Sequence, residues 1–334
     1  MLSRSPKLRF ALLIAAIASF AELVTGSIVR LSSTKLEAPV DDPAADYEKA
    51  TARFAEVQAL EKKIAAFNPV CYSKLLTHGR KMPRAIILMH GMTNCPEQYV
   101  QLAPLFFERG YNVLVPLMPC NGLADPDTQA LKDITAEQLI DCCNTAVDIG
   151  RGLGDHLTFA GLSVGGTMAA WVAQKRADVN QVVLISPEFT ISRSVGVLLS
   201  RLIMYLFLLM PNVMTQQLRP FTGAVGHNYH GFATRGLGQM MRLGFSVYDA
   251  ARTMKPAAQS VVVITNAADT AVNNGITQKL MNRWKANGFG RVKTYEFAAS
   301  HHLIHDIIDP NQKEQQTAFV YPILLDVIAP SAQV

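Results

Sequence analysis

From about residue 70 onward the chain alternates short apolar runs with longer segments in which apolar residues recur every three or four positions. Ala85-Ile86-Ile87-Leu88-Met89 is a continuous apolar run, the pattern of a strand buried on both faces of a parallel sheet. Similar runs at 112–116, 157–160, 182–185, 260–265 and 292–297 predict five more strands. The segments 96–109, 135–152, 165–177, 274–288 and 311–329 read as helices, and Thr135 with Gln138 three positions on predicts a capping box at the start of the second. Strands alternating with helices imply an α/β fold with a mostly parallel, doubly wound sheet and helices on both faces.

Two stretches depart from this alternation. Residues 32–46 are polar and proline-containing, a linker, and Tyr47, Phe54, Val57, Ile64 and Phe67 then recur at spacings that predict an amphipathic helix over 44–67, docked on the body. Between Pro187 and Ser260 the chain is helical and irregular, and 195–210 is apolar nearly all round. That segment contains Arg201, stops at Pro211 and is too short to span a bilayer comfortably, so it reads as a cap helix over the C-terminal edge of the sheet, offering an apolar wall to a ligand. The expected organisation is a leader or anchor over 1–31, linker and helix over 32–69, core over 70–187, helical cap over 188–258 and the rest of the core over 259–334.

The leader changes the reading of charge. Residues 1–9 are polar and cationic, and 10–21 form an apolar run of signal-peptide length ending in Ser19 and Ala21, which suits cleavage before Glu22. An uncleaved anchor over 10–29 is one alternative, and either one exports the body, to the periplasm, the outside or the membrane surface; a hydrophobic N-terminal helix of a cytosolic protein is the other. Arg4, Lys7 and Arg9 supply three of the net +5 charges, so the body is nearly neutral. With no basic patch or RNA-binding signature, nucleic acid is not an expected partner. Five cysteines with no CxxC pair argue against a structural zinc site and a dense disulfide framework. Cys95 and Cys120 each follow a predicted strand, which allows a bridge between them, or all five are small buried apolar residues.

The chemistry gathers where predicted strands end. Gly161-Leu162-Ser163-Val164-Gly165-Gly166 lies between a strand and a helix, the context in which a G-x-S-x-G serine sits on a sharp turn with its hydroxyl out of the sheet. Gly161 and Gly165 must be small because the turn brings backbones together, and the helix N-terminus adds positive potential for an oxyanion. The N–H groups of Val164 and Met92 are the expected oxyanion hole, with His90 holding the Met92 loop and moving no proton. Asp269 is the first carboxylate beyond the strand 260–265 and would orient an imidazole, while Asn266 or Asn273 could equally cap the next helix. Segment 300–310 offers His301, His302 and His305; Ser-x-His would choose His302, and His-acid-Ile-x-acid-Pro would choose His305. No carboxylate or cysteine is spaced to complete a metal site with these histidines, and no cofactor is implied.

Taken together, His90-Gly91-Met92, Gly161 to Gly166, Asp269-Thr270-Ala271-Val272 and His305 to Pro310 resemble the α/β-hydrolase superfamily, in the branch of monoacylglycerol lipases and serine-aminopeptidase-like hydrolases. The likeness covers roughly 70–330. It implies a Ser-His-Asp esterase or lipase with a cap inserted between the sixth and seventh core strands, where 188–258 fall. The last motif is similar to the stretch around the catalytic histidine of the lipase branch, which favours His305. A departure is Pro119-Cys120-Asn121-Gly122, where many members carry a Gly-His-Gly-like turn. The expected substrate is a small-molecule ester or lipid, with Leu198, Leu202, Tyr205, Phe207 and Leu208 pointing to an apolar acyl group. An amidase or peptidase with the same triad, or a non-catalytic binding protein, are the rivals. A substrate amino group would need an acid in the cap, and 188–258 offer only Glu188 and Asp249.

Overall fold

The structure is a computed structural model describing Leu36 and residues 40–190, 194–215 and 225–330. The chain divides into two compact units, Met1–Glu37 and Ala38–Val334. The expected leader and most of the first unit lie outside the described residues, and the fold below is that of the second. Among the described residues no helix is long and apolar enough to cross a membrane.

Seven strands form one sheet: β1 (Lys74–Leu76), β2 (Met82–Met89), β3 (Tyr111–Val115), β4 (Gly154–Leu162), β5 (Gln181–Ile185), β6 (Ser260–Asn266) and β7 (Val292–Phe297), in the order β1-β3-β2-β4-β5-β6-β7. Every neighbouring pair is parallel except β1 with β3. The apolar run Ala85–Met89 is wholly buried at the centre, as a strand covered on both faces must be. β7 lies at the edge and carries Lys293, Thr294 and Glu296, polar residues that keep an open edge from pairing further. β1 was not foreshadowed: three half-buried residues carry no periodic signal.

Helices α1 (Tyr47–Glu61), α2 (Leu102–Glu108), α3 (Ala136–Leu153), α4 (Val164–Lys175), α5 (Val197–Leu209), α6 (Thr234–Ala250), α7 (Asn274–Ala286) and α8 (Thr317–Ile328) surround the sheet. Thr135 and Gln138 form the expected reciprocal capping box on α3. Asn273 caps α7 by accepting from the N–H of Ile276, which leaves Asp269 free of that duty. Helix α1 ends at Glu61, short of the predicted residue 67, and Ile64 is exposed. Its last residue turns inward instead: the buried Glu61 carboxylate accepts from the backbone N–H of Ser73 at 2.9 Å and from the Ser73 hydroxyl.

The insertion lies between β5 and β6 and contains α5 and α6. Arg201 on α5 pairs with Asp249 on α6 at 2.6 Å and stacks over the Phe245 ring, which explains a cation in an apolar helix. The cap helix does not form the expected apolar wall: Leu198, Leu202 and Leu206 face solvent, and no residue of α5 lines the cavity described below. A disulfide joins Cys71 to Cys95, with Cα atoms 5.2 Å apart. The expectation of Cys95 with Cys120 therefore fails. The segment before β1 brings Cys71 to the loop after β2, a juxtaposition the run of predicted strands did not reveal, and Cys120 is a free thiol.

Candidate active site

The loops after β2, β4, β5, β6 and β7 converge on a cavity of about 710 Å³ at the C-terminal edge of the sheet. Ligands in open α/β sheets bind at this edge. Ser163 stands between β4 and α4 with φ +59° and ψ −117°, a conformation unfavourable for a residue with a side chain and held here by its surroundings. A Cβ on Gly161 would stand 2.1 Å from the carbonyl oxygen of Gly165, and one on Gly165 would stand 2.3 Å from that of Met89. Both glycines are therefore dictated by contact with backbone. Ser163 occupies the N-cap position of α4, yet its side chain makes no cap bond, so the hydroxyl is available to the cavity.

Asp269 and His305 meet across the site. The ring Nδ1 of His305 donates to Oδ2 of Asp269 at 2.7 Å, while Oδ1 accepts from the N–H groups of Ala271 at 2.8 Å and Val272 at 3.4 Å. Burial by itself raises a carboxyl pKa, but these donors and the imidazole charge outweigh it and hold Asp269 below its ordinary value. For His305, burial pulls the pKa down, yet the bond to Asp269 and the charges of Asp269, Glu188 and Asp306 prevail and raise it. Of the sequence candidates His305 alone is in this position; His301 and His302 are exposed, and His302 is in the left-handed region at φ +50°.

Of the expected oxyanion donors, Met92 lines the cavity together with Gly91, and Val164 is the first residue of α4, directly after Ser163. His90 is buried, with Nε2 accepting from the N–H of Met118 at 2.9 Å and Nδ1 donating to the carbonyl of Gly91 at 2.7 Å. Burial lowers its pKa to about 4, so it stays neutral and holds the loop, as expected. Three polar residues that the motifs did not single out complete the support. Gln98 accepts from the N–H of Gly91 at 2.9 Å and donates to Asp306 at 2.8 Å; Asn94 donates to Asp309 at 3.1 Å; and Asn121 donates to the carbonyls of Met92 at 2.6 Å and Asn94 at 2.8 Å. The loop that carries His305 is thereby bonded to the loop that carries Met92. Separations of more than two hundred residues hid these pairs from local pattern.

Glu188 is the other addition. It follows the Ser186-Pro187 turn after β5, and its Oε2 accepts from the Ser163 hydroxyl at 3.2 Å. Sequence placed it in the cap; the structure places it beside the serine. A second cavity of about 380 Å³, bordered by Phe54, Leu117 and Cys142, contains none of these groups. Among the described residues there is no cluster able to hold a metal ion.

Many solved structures share the fold. The chain is similar to a structure described with LipS and LipT, two metagenome-derived lipolytic enzymes, at TM-score 0.60 and 15% identity, covering 78% of this chain and 98% of that one. It is similar to the monoacylglycerol lipase of Paleococcus ferrophilus at TM-score 0.57 and 15% identity, covering 78% and 99%. No curated protein matches the sequence. The profile of the Alpha/beta hydrolase family matches residues 86–311, a span that runs from the strand before the Met92 loop past His305 and takes in Ser163 and Asp269. The chain belongs to the Alpha/beta hydrolase family.

Proposed function

We propose that the protein is a serine hydrolase of carboxylic esters that works through an acyl-enzyme. Ser163 attacks the ester carbonyl, and His305 takes the hydroxyl proton and returns it to the leaving alcohol. Asp269 fixes the imidazole tautomer and stabilises the imidazolium, and the N–H groups of Met92 and Val164 receive the oxyanion. Water then repeats the sequence on the acyl-enzyme and releases the acid. The observation that carries this reading is the 2.7 Å bond between His305 and Asp269 in a cavity shared with a serine on a strained strand-to-helix turn.

In this structure the Ser163 hydroxyl donates to Glu188, so attack requires it to turn to His305. The rotation is about one side-chain torsion, and catalytic hydrogen bonds often tighten only with substrate present. Leu162, Phe232 and Ile304 give the cavity apolar walls, which supports an apolar acyl group in place of the solvent-facing leucines of α5. We also read the body as exported: the Cys71–Cys95 disulfide fits an oxidising compartment, as the apolar leader does. The likeness to lipolytic enzymes supports esters over amides. The test is hydrolysis of p-nitrophenyl esters of rising acyl length. Turnover by the wild type and none by Ser163→Ala is expected; equal turnover by both proteins contradicts the proposal.

A further inference from the structure

Glu188 is held in place by its backbone. Ser186 has φ +40°, its N–H donates to the carbonyl of Ile264 at 2.8 Å, and the turn it begins brings the N–H of Glu188 to the carbonyl of Ser163 at 3.1 Å. The Thr167 hydroxyl donates to the Glu188 carbonyl at 2.5 Å. The strained turn is thus fastened to both Ser163 and α4, which fixes the point from which the Glu188 side chain enters the site. Its own partners are few. A carboxylate has room for about four hydrogen bonds, and the Ser163 hydroxyl is the one donor that reaches this one among the described residues. No lysine or arginine pairs with it there, whereas the other acids near His305 are supplied: Asp269 by two backbone N–H groups and the imidazole, Asp306 by the amides of Gln98 and Asn94.

A half-buried carboxylate with one neutral donor from the protein, lining the cavity beside the serine, is a place where an arriving cation is favoured. The charges around it leave that position open. His305 and Asp269 face it from the loops after β7 and β6, with His305 committed to Asp269; Lys313, Asp306 and Glu314 are the other charged residues that line the cavity. At attack distance the substrate carbonyl carbon lies roughly 3–3.5 Å from the Ser163 oxygen. Glu188 Oε2 is 3.2 Å from that same oxygen, so an ammonium on the carbon next to the carbonyl comes within ion-pair reach.

We propose that Glu188 is a specificity-determining residue that binds a cationic nitrogen on the α carbon of the acyl group, making α-amino acyl esters the preferred substrate class. This rests on the serine-hydrolase reading of the same site. The ion pair would release the Ser163 hydroxyl from Glu188 as substrate binds, leaving it to His305. Burial pushes the Glu188 carboxyl above its ordinary range, so the preference should strengthen as pH rises through its ionisation, up to the point where the substrate amine itself loses its proton.

The test compares the ethyl esters of leucine and of 4-methylpentanoic acid, which differ only in the amino group, at about pH 6.5, where an α-amino group is protonated. The wild type is expected to favour the leucine ester by roughly tenfold or more in kcat/KM, the scale of a charge-assisted bond. In Glu188→Gln the ratio should fall to near one, whatever happens to either rate alone. A wild-type ratio at or below one, or an unchanged ratio in Glu188→Gln, overturns the proposal and leaves the hydrolase reading intact. Turnover of neither ester, with no labelling of Ser163 by a fluorophosphonate, overturns both.

Discussion

Two loops bring a carboxylate to the same cavity and treat it in opposite ways. The loop after β6 surrounds Asp269 with donors: two backbone N–H groups on one oxygen and the imidazole of His305 on the other. The turn after β5 fixes the backbone of Glu188 as firmly but, among the described residues, leaves its side chain only the Ser163 hydroxyl. The first is a completed device, with its pKa held down and its partner chosen. The second is an incomplete one, with its pKa pushed up and a position open for a cation. The difference separates what a site needs in order to react from what it needs in order to choose.

The largest expected effect tests the completed device. His305→Ala should lower kcat/KM for a neutral ester by on the order of 10⁴-fold or more, while His302→Ala, on an exposed left-handed turn, should leave it near wild type. Equal losses in both would remove the assignment of the base. Asp269→Asn comes next, at roughly 10³–10⁴-fold in kcat with little change in KM, because an amide there can hold the ring in the wrong tautomer. Gln98→Leu should cost roughly tenfold to a hundredfold in kcat and about 1–3 kcal/mol of stability to chemical denaturation. It strands the buried N–H of Gly91 and removes the shorter of the two amide bonds to Asp306, leaving that of Asn94.

The smallest effect sharpens the contrast between the acids. His305 must be neutral to take the serine proton, so kcat/KM falls as pH drops through its pKa, which lies above the ordinary histidine value. Glu188→Gln removes one of the charges that hold that pKa up. The acid limb of the profile should therefore move to lower pH, measured with a neutral ester; a shift to higher pH would mean that Glu188 does not act on His305 as an anion.

The candidate site residues were legible because each local structural need leaves a trace. Gly161 and Gly165 flank Ser163 since any Cβ there meets backbone, Thr135 and Gln138 cap α3, and Asp269 follows an apolar strand. The choice between His302 and His305 needed the family likeness, because both stand in the right loop. What stayed hidden depends on where the chain returns in space. Gln98 with Asp306, Cys71 with Cys95 and Glu188 with Ser163 are pairs that no periodicity marks, and Leu198 and Leu202 read as a cavity wall only until α5 is seen to turn them outward.

The central claim is that Ser163 is an activated nucleophile paired with His305 and Asp269. Intact-mass measurement of fluorophosphonate adducts tests it most directly, on the wild type, Ser163→Ala and His305→Ala side by side. One phosphonyl group on the wild type, mapped to Ser163, with none on Ser163→Ala and labelling slowed by orders of magnitude in His305→Ala, is the predicted result. Folded wild-type protein that takes no label, or that takes it as readily after either substitution, would contradict the account.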